Sequence, residues 1–312
     1  MNLFPYDSKF DFMRLRKVSI GLAVALFVIA IGALATRGLN FALDFTGGTV
    51  VELKFDNEAA VGLLRERLTK AGYADAVVQT FGASNDIVVR LQPEDGQANA
   101  TKTGDSVLAA VQSSDNPAKL TRSDFVGPQV GKELASQGVI AVIFVAFGFL
   151  LYISLRFEWK FAVAAILATM HDVLICTGYF AVTGKEFDLN VLAGILSVMG
   201  YSINDTIVVF DRVRENFRSL HRVEAYEVLN RSVNQTLSRT IITSFVALLT
   251  VLALYFFGGS ALKGMAESQI IGIVIGTLSS IFVACPLLLM LGTNRIDLLP
   301  RAKDESDLAR RP

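Results

Sequence analysis

The chain is short of the residues from which metal sites, disulfide scaffolds and most hydrolytic centres are built. Its 312 residues include two cysteines, two histidines and one tryptophan. Two cysteines cannot form a disulfide framework, and Cys176 and Cys285 both lie in apolar runs, where a thiol packs as a small hydrophobe. His171 and His221 are far apart, and no Cys/His spacing suits a metal ion, so no metal and no cofactor are expected. The stretch nearest to a phosphate loop, "GPQVGKE" (127–133), has too few residues between its glycines and ends in Glu133 instead of Ser or Thr. No nucleophile–base pair can be assembled, so an enzyme is not expected. Charge is scarce as well. Charged residues make up 19% of the chain, against about a quarter in soluble domains, and they cancel to zero. No surface for nucleic acid is expected.

What is abundant is apolar sequence: 52% of the chain, with mean hydropathy +0.48. Crossing a bilayer takes about 20 mostly apolar residues. Six stretches qualify: Val18–Thr36, Gln137–Leu155, Phe161–Gly184, Leu189–Phe210, Thr240–Ser260 and Ser268–Asn294. In lipid each must be a helix, because every backbone group needs an internal partner. The first follows Lys9, Arg14, Arg16 and Lys17, and Ala33-Leu34-Ala35 imitates a signal-peptidase site. Its apolar run exceeds the roughly 7–15 residues of a signal peptide, so a retained anchor is expected. Lys and Arg crowd the N-terminus, the second-to-third connection (Arg156, Lys160), the fourth-to-fifth (Arg212, Arg214, Arg218, Arg222, Arg231) and the tail beyond Arg295. The opposite short loops hold only Lys185 and Lys263. Both termini should therefore be cytoplasmic.

Residues 37–135, between the first two spans, would then lie outside. "GGTVVELKF" (47–55) alternates as a strand does, and "NEAAVGLLRERLTKAG" (57–72) has helical spacing. "DAVVQTFG" and "DIVVRLQ" read as strands joined by a turn at Ala83-Ser84-Asn85. "GDSVLAAVQSS" reads as a second helix and "KLTRSDFVGP" as a last extended piece. The order β-α-β-β-α-β is that of a ferredoxin-like unit.

The candidate site lies in the membrane part. His171-Asp172 falls near the middle of the third span. In the fourth, Tyr201, Ser202 and Asp205 share one helical face, with Asn204 beside them as an interhelical hydrogen-bonding residue. The fifth opens on Arg239, Thr240, Thr243 and Ser244. An ionised Asp at a helix centre costs about 2.5–3.5 kcal/mol on insertion scales. It escapes that cost by taking up a proton or by pairing with a cation. Arg239 is the obvious cation, and Asp205 the group that titrates. Approach and withdrawal of Arg239 would couple proton movement to helix packing; a static ion pair that fixes register is the alternative. "GIVIG" (272–276) is a Gly-x-x-x-Gly helix-contact motif.

Those residues carry a resemblance. "LDFTGGT", "VGPQVGKEL", "HDV", "GYSINDTIVVFDRVREN", "SRTIITS" and "GTLSSIFVA" occur in the order found in the SecF family, from about Phe10 to Gly292. That family is the smaller half of the SecD–SecF protein-export complex, within the resistance-nodulation-division (RND) superfamily. The resemblance implies a polytopic α-helical membrane protein of the bacterial inner membrane: six transmembrane helices forming an RND half-unit, with a periplasmic ferredoxin-like α+β head between helices one and two. It implies residues 1–17 and 295–312 as cytoplasmic ends, helix one over 18–36, the head over 37–135 and helices two to six over 136–294. SecD, the SecYEG channel, an unfolded preprotein and YajC are the implied partners, and the proton-motive force the energy source. Asp205 and Arg239 fall on the family's proton-conducting positions, with Asp172 and His171 as further relay candidates and Ser202, Asn204, Thr240 and Thr243 as the polar helix face. Gly47 and Gly48 fall in the segment joining the first span to the head. One departure is visible: relatives often continue "RTxxTS" with Thr, whereas Phe245, Val246 and Ala247 follow here. Two other readings remain at this point. One is an RND-type exporter of small molecules or lipids, although such exporters usually carry both halves and larger external domains in one chain. The other is a scaffold for the channel.

Overall fold

The computed structural model describes residues 10–81, 83–92, 100–220 and 223–294. Lys9, Arg222 and the tail from Arg295, which bear on the orientation argument, lie outside them. A 3-10 turn (Met13–Leu15) leads into α1 (Arg16–Thr36), followed by β1 (Asn40–Phe41), α2 (Leu43–Thr46), β2 (Gly48–Phe55), α3 (Val61–Lys70), β3 (Val77–Phe81), β4 (Ala83–Leu91), α4 (Ala100–Val111) and β5 (Ala118–Val126). Then come α5 (Pro128–Arg156), α6 (Trp159–Thr183), β6 (Glu186–Phe187), α7 (Leu189–Ser219), α8 (Ala225–Phe257) and α9 (Ser260–Ser279). A π-helical turn (Ser280–Ala284) joins α9 to α10 (Cys285–Met290). The chain divides into two compact units, one of long helices and one built on the sheet.

Six helices are long and apolar enough to cross a membrane: Met13–Thr36, Pro128–Arg156, Trp159–Thr183, Leu189–Ser219, Ala225–Phe257 and Ala261–Met290. Each overlaps one predicted stretch, and the differences are at the ends. α7 runs past Phe210 and α8 starts well before Thr240, because both continue as amphipathic helices. Val213 and Phe217 of α7 and Val228, Leu229 and Val233 of α8 join one buried cluster, while the charged residues of these turns leave it. Hydropathy marks only the part that fits hydrocarbon. The sixth span starts early enough to take in Glu267, a charge the sequence reading left outside it. Tyr179 Oη donates to Glu267 Oε1 at 2.5 Å, and Lys185 pairs with the same carboxylate.

Small residues let these helices approach. α6 is largely buried and rich in alanine. A Cβ on its Gly178 would stand 2.7 Å from Ala30 Cα on α1. Both glycines of "GIVIG" face α7, Gly272 against Val198 and Gly276 against Ser202. The irregular turn in the sixth span follows from Pro286. Proline has no N–H for the carbonyl four residues back, and its ring crowds that carbonyl, so the preceding turn widens.

In the other unit the sheet order is β3-β4-β2-β5, antiparallel throughout. With the helices between β2 and β3 and between β4 and β5, this is the ferredoxin-like arrangement. Alternation along the strands sets the core. Val51, Leu53 and Phe55 of β2 and Ile87, Val89 and Leu91 of β4 pack with Leu64 and Leu68 of α3 and Val107 and Val111 of α4. One expectation is corrected: Ala83-Ser84-Asn85 is not a turn but the start of β4. Ala59 N–H donates to Ser84 O at 3.3 Å, and Asn85 Nδ2 to Phe55 O at 3.0 Å. These bonds draw the stretch against the end of β2 and hold it extended.

Glu52 lies on the other face of β2 and is half-buried. Burial holds its carboxyl above the usual carboxylate range, against the pull of Arg122. A raised folded-state pKa makes the native state the tighter proton binder, so stability from this group is fullest in acid and is lost as pH rises through the folded pKa. Glu52→Gln should therefore slow hydrogen exchange of the β2 amides at neutral pH, with the gain shrinking toward pH about 4. An equal effect at both pH values would refute this origin.

Candidate functional site

Asp205 is 5% exposed, on the inward face of α7. Its Oδ1 accepts from Thr240 Oγ1 of α8 at 3.0 Å, and its Oδ2 from Ser280 Oγ of the π turn at 2.6 Å. Three spans thus converge on one carboxylate. The Ser280 hydroxyl has a second acceptor, Thr277 O, at 3.0 Å. One proton on that oxygen can serve either the carboxylate or its own helix. Thr240 has the same option in kind, since a helical Thr hydroxyl can turn back onto the carbonyl of the preceding turn. Both donors can therefore release Asp205 when it takes up a proton, without leaving a hydroxyl unpaired.

A second carboxylate lies on α6. Asp172 is fully buried; Ser202 Oγ of α7 donates to its Oδ2 at 2.5 Å, and His171 Nδ1 lies 2.9 Å from its Oδ1. The far nitrogen of His171, Nε2, has no hydrogen-bond partner among the described residues. Ser202 precedes Asp205 by three residues, so one face of α7 touches both acidic centres. A hydroxyl cluster adjoins them: Tyr201 Oη donates to Ser244 Oγ at 2.7 Å, and Ser244 Oγ lies 2.7 Å from Thr277 Oγ1.

Several of the predicted residues make no hydrogen bond or ion pair to these carboxylates among the described residues. Arg239 is exposed and makes no ion pair with Asp205 among the described residues, yet it lies close enough for its charge to act on that carboxylate. It lies one residue, about 100° of helix, from the inward Thr240. Asn204 is exposed, one position off the Asp205 face, and bonds to no other helix among the described residues. Thr243 is exposed too, and its hydroxyl returns to Arg239 O and Thr240 O of its own helix. Of the polar face, Ser202 and Thr240 point inward. Ser280 and Thr277 were missed by sequence reasoning; the available signal was Pro286 in an apolar run, which marks a disturbed helix just after two serines. His221 lies outside the described residues. Among the described residues no group of His, Cys, Asp or Glu could hold a metal.

Gly47 and Gly48 have φ of 69° and 119°, where a side chain is strained. A Cβ on Gly47 would stand 2.9 Å from Pro128 Cα, and one on Gly131 would stand 2.9 Å from Gly47 N. Gly47 of "LDFTGGT" and Gly131 of "GPQVGKE" thus pack against one another. Gly38 has φ 67° but open space around it. Gly47→Ala should lower stability by about 1–3 kcal/mol, and by more than Gly38→Ala, as read by thermal unfolding of the chain in detergent. Equal losses would mean that strain alone, and not the Pro128 contact, constrains the position.

Residues 106–294 match the family model described as protein export membrane protein SecD/SecF, C-terminal, and residues 32–59 that of the SecD/SecF GG motif. The chain is 47% identical over 300 residues to the protein translocase subunit SecF of Pseudomonas aeruginosa, covering 95% of this chain and 96% of that one. The SecF subunit of Escherichia coli O157:H7 is 42% identical over 97% of this chain and 94% of its own length. The crystal structure of SecDF, a translocon-associated membrane protein from Thermus thermophilus, superposes with TM-score 0.83 at 37% identity over 93% of this chain. This chain spans 40% of that solved chain. By these matches, the chain belongs to the SecF family of SecD/SecF protein-export membrane proteins.

Proposed function

We propose that the chain is an auxiliary subunit of a protein translocase that uses the proton-motive force to complete export of unfolded preproteins. It works with a SecD half, which completes the pseudo-symmetric bundle, and with the SecYEG channel; YajC is a further neighbour. The distribution of Lys and Arg supports an inner-membrane protein with both ends in the cytoplasm and the sheet domain in the periplasm. It is a transport subunit without a catalytic site.

The observation that carries this reading is Asp205, a buried carboxylate held by hydroxyls of two other spans that can each turn away. Protons enter from outside along the SecD interface and load Asp205. Arg239, on the helix of Thr240, helps release them inward, and Asp172 with His171 extends the relay through Ser202. Each charge crossing 100 mV yields about 2.3 kcal/mol. Repacking α7 against α8 and the π turn delivers that energy to the head, which grips the preprotein and tilts on the Gly47-Gly48 segment.

The test uses inside-out vesicles that contain the channel, a SecD half and this chain. ATP drives a preprotein halfway across; the ATP is removed and a proton gradient imposed. Completion should require both the gradient and the chain. Completion that ignores the gradient would leave the scaffold reading. Lost resistance to a toxic compound with normal secretion would leave the small-molecule exporter.

A further inference from the structure

We propose that the basic ends of α5 and α7 form a binding site for the phosphodiester headgroup of an anionic phospholipid. A cavity of about 620 Å³ opens there, lined by three arginines, 156, 214 and 218, together with Asp211, Glu215 and Ser219. Arg156 closes α5, and Arg218 stands in the last turn of α7.

The neighbouring carboxylates take up only part of this donor set. Arg156 Nη2 donates to Asp211 Oδ2 at 3.0 Å, Arg214 Nη2 to Glu158 Oε1 at 2.9 Å, and Arg212 Nη1 to Glu215 Oε2 at 2.6 Å. A guanidinium carries five N–H donors in a planar fork. Arg156, half-exposed, therefore keeps most of its fork available. Arg218 is exposed and forms no ion pair among the described residues. With Arg156, Arg212 and Arg214 matched by Asp211, Glu215 and Glu158, Arg218 is a cation in excess among the described residues. An arginine there also complements the helix dipole, but the dipole accounts for one cation at a helix end and not for three around a cavity.

The surroundings select a lipid over a free anion. Leu155, beside Arg156, is 81% exposed, and Trp159, at the start of the next helix, is 63% exposed. The Lys160 ammonium lies 5.8 Å from the centre of the Trp159 ring. A tryptophan flanked by cations at the end of a spanning helix sits at headgroup level, and basic pockets at that level take acidic headgroups. Leu155 and Trp159 offer the acyl chains an apolar flank. The arginines offer the phosphate a charge-assisted fork, and its negative charge answers the excess of cations among the described residues around the cavity.

The test uses the full chain in neutral detergent. Short-chain phosphatidylglycerol, short-chain phosphatidylcholine and inorganic phosphate are titrated separately, with binding read from the unfolding midpoint and from lipid retained in native mass spectrometry. Phosphatidylglycerol should bind saturably and the other two should not. Arg218→Gln should weaken binding about fivefold, the equivalent of about 1 kcal/mol per near-surface cation. Because Arg218 makes no ion pair among the described residues, this change spares the fold. Arg231→Gln, at an exposed arginine of α8 outside the lining, should leave binding as it was. Equal binding of the two lipids, or unchanged binding in Arg218→Gln, would overturn the proposal. Saturable binding of inorganic phosphate that displaces the lipid would overturn the lipid assignment.

Discussion

Asp205→Asn should leave the chain folded and inserted and remove all of the gradient-driven completion of export. The two halves of that result have separate causes. The fold survives because asparagine is nearly isosteric with aspartate. Its carbonyl can still accept from Thr240, and its amide can donate to the Ser280 oxygen once that hydroxyl turns to Thr277 O, 3.0 Å away. Both hydroxyls keep partners and one amide N–H gains one, so the cost is confined to the second N–H, at most about 1–3 kcal/mol for an unpaired buried group. Function is lost because an amide takes up no proton at any working pH. ATP-driven insertion of the first half of the preprotein should stay at the wild-type level, and completion after ATP removal should fall to the rate seen without a gradient. If the variant completes transfer as the wild type does, Asp205 is a static acceptor holding three spans together, and the proton-driven reading fails at its central residue.

Asp205 was legible because a carboxylate inside an apolar run stands out on composition alone, and so was Asp172. The βαββαβ unit was legible because strand and helix periods alternate cleanly from Gly48 to Val126. Its least readable point was Ala83-Ser84-Asn85, whose composition signals a turn but whose backbone is held extended by bonds to Phe55 and Ala59, distant in sequence. What the sequence does not disclose is which polar residues turn inward. Helical angle separates Ser202 from Asn204, two positions and about 200° apart, and it should have kept Asn204 off the inward face. Thr243 lies only about 60° from Thr240, yet its hydroxyl bonds its own helix instead of a neighbour. Ser280 was the hardest. It reaches Asp205 from a π turn, and that turn is set by a proline six residues further on, so neither hydropathy nor a regular helical wheel places it.

Gly272→Ala should cost stability by about 1–3 kcal/mol, the usual range for overpacking, although it adds a single methyl group. That methyl would stand 2.8 Å from Val198 Cβ and closer still to both γ carbons. A β-branched side chain on a helix has essentially one rotamer and cannot swing away, so α9 itself must move off α7. Gly276→Ala should cost less, since its methyl would meet Ser202 Cβ at 3.3 Å, a distance that small adjustments relieve. Removing the three side-chain carbons of Val198 as well, with Gly272→Ala and Val198→Gly together, relieves the clash and should recover part of the loss, less the penalty of about 1 kcal/mol for glycine inside a helix and the cost of the apolar contacts given up. Thermal unfolding in detergent reads all three. An effect of Gly276→Ala as large as that of Gly272→Ala, or no recovery in the double variant, would sink the seam as the origin. The functional consequence follows from position. The π turn carrying Ser280 continues the same span, and a helix pushed from α7 at Gly272 takes the Ser280 hydroxyl away from Asp205, 2.6 Å from it in the native packing. Gly272→Ala should therefore depress gradient-driven completion although neither Gly272 nor Val198 can carry a proton, and the double variant should restore completion in step with stability. Restored stability without restored completion would mean that the close α7–α9 contact serves the moving state of the bundle and not only the packing at rest.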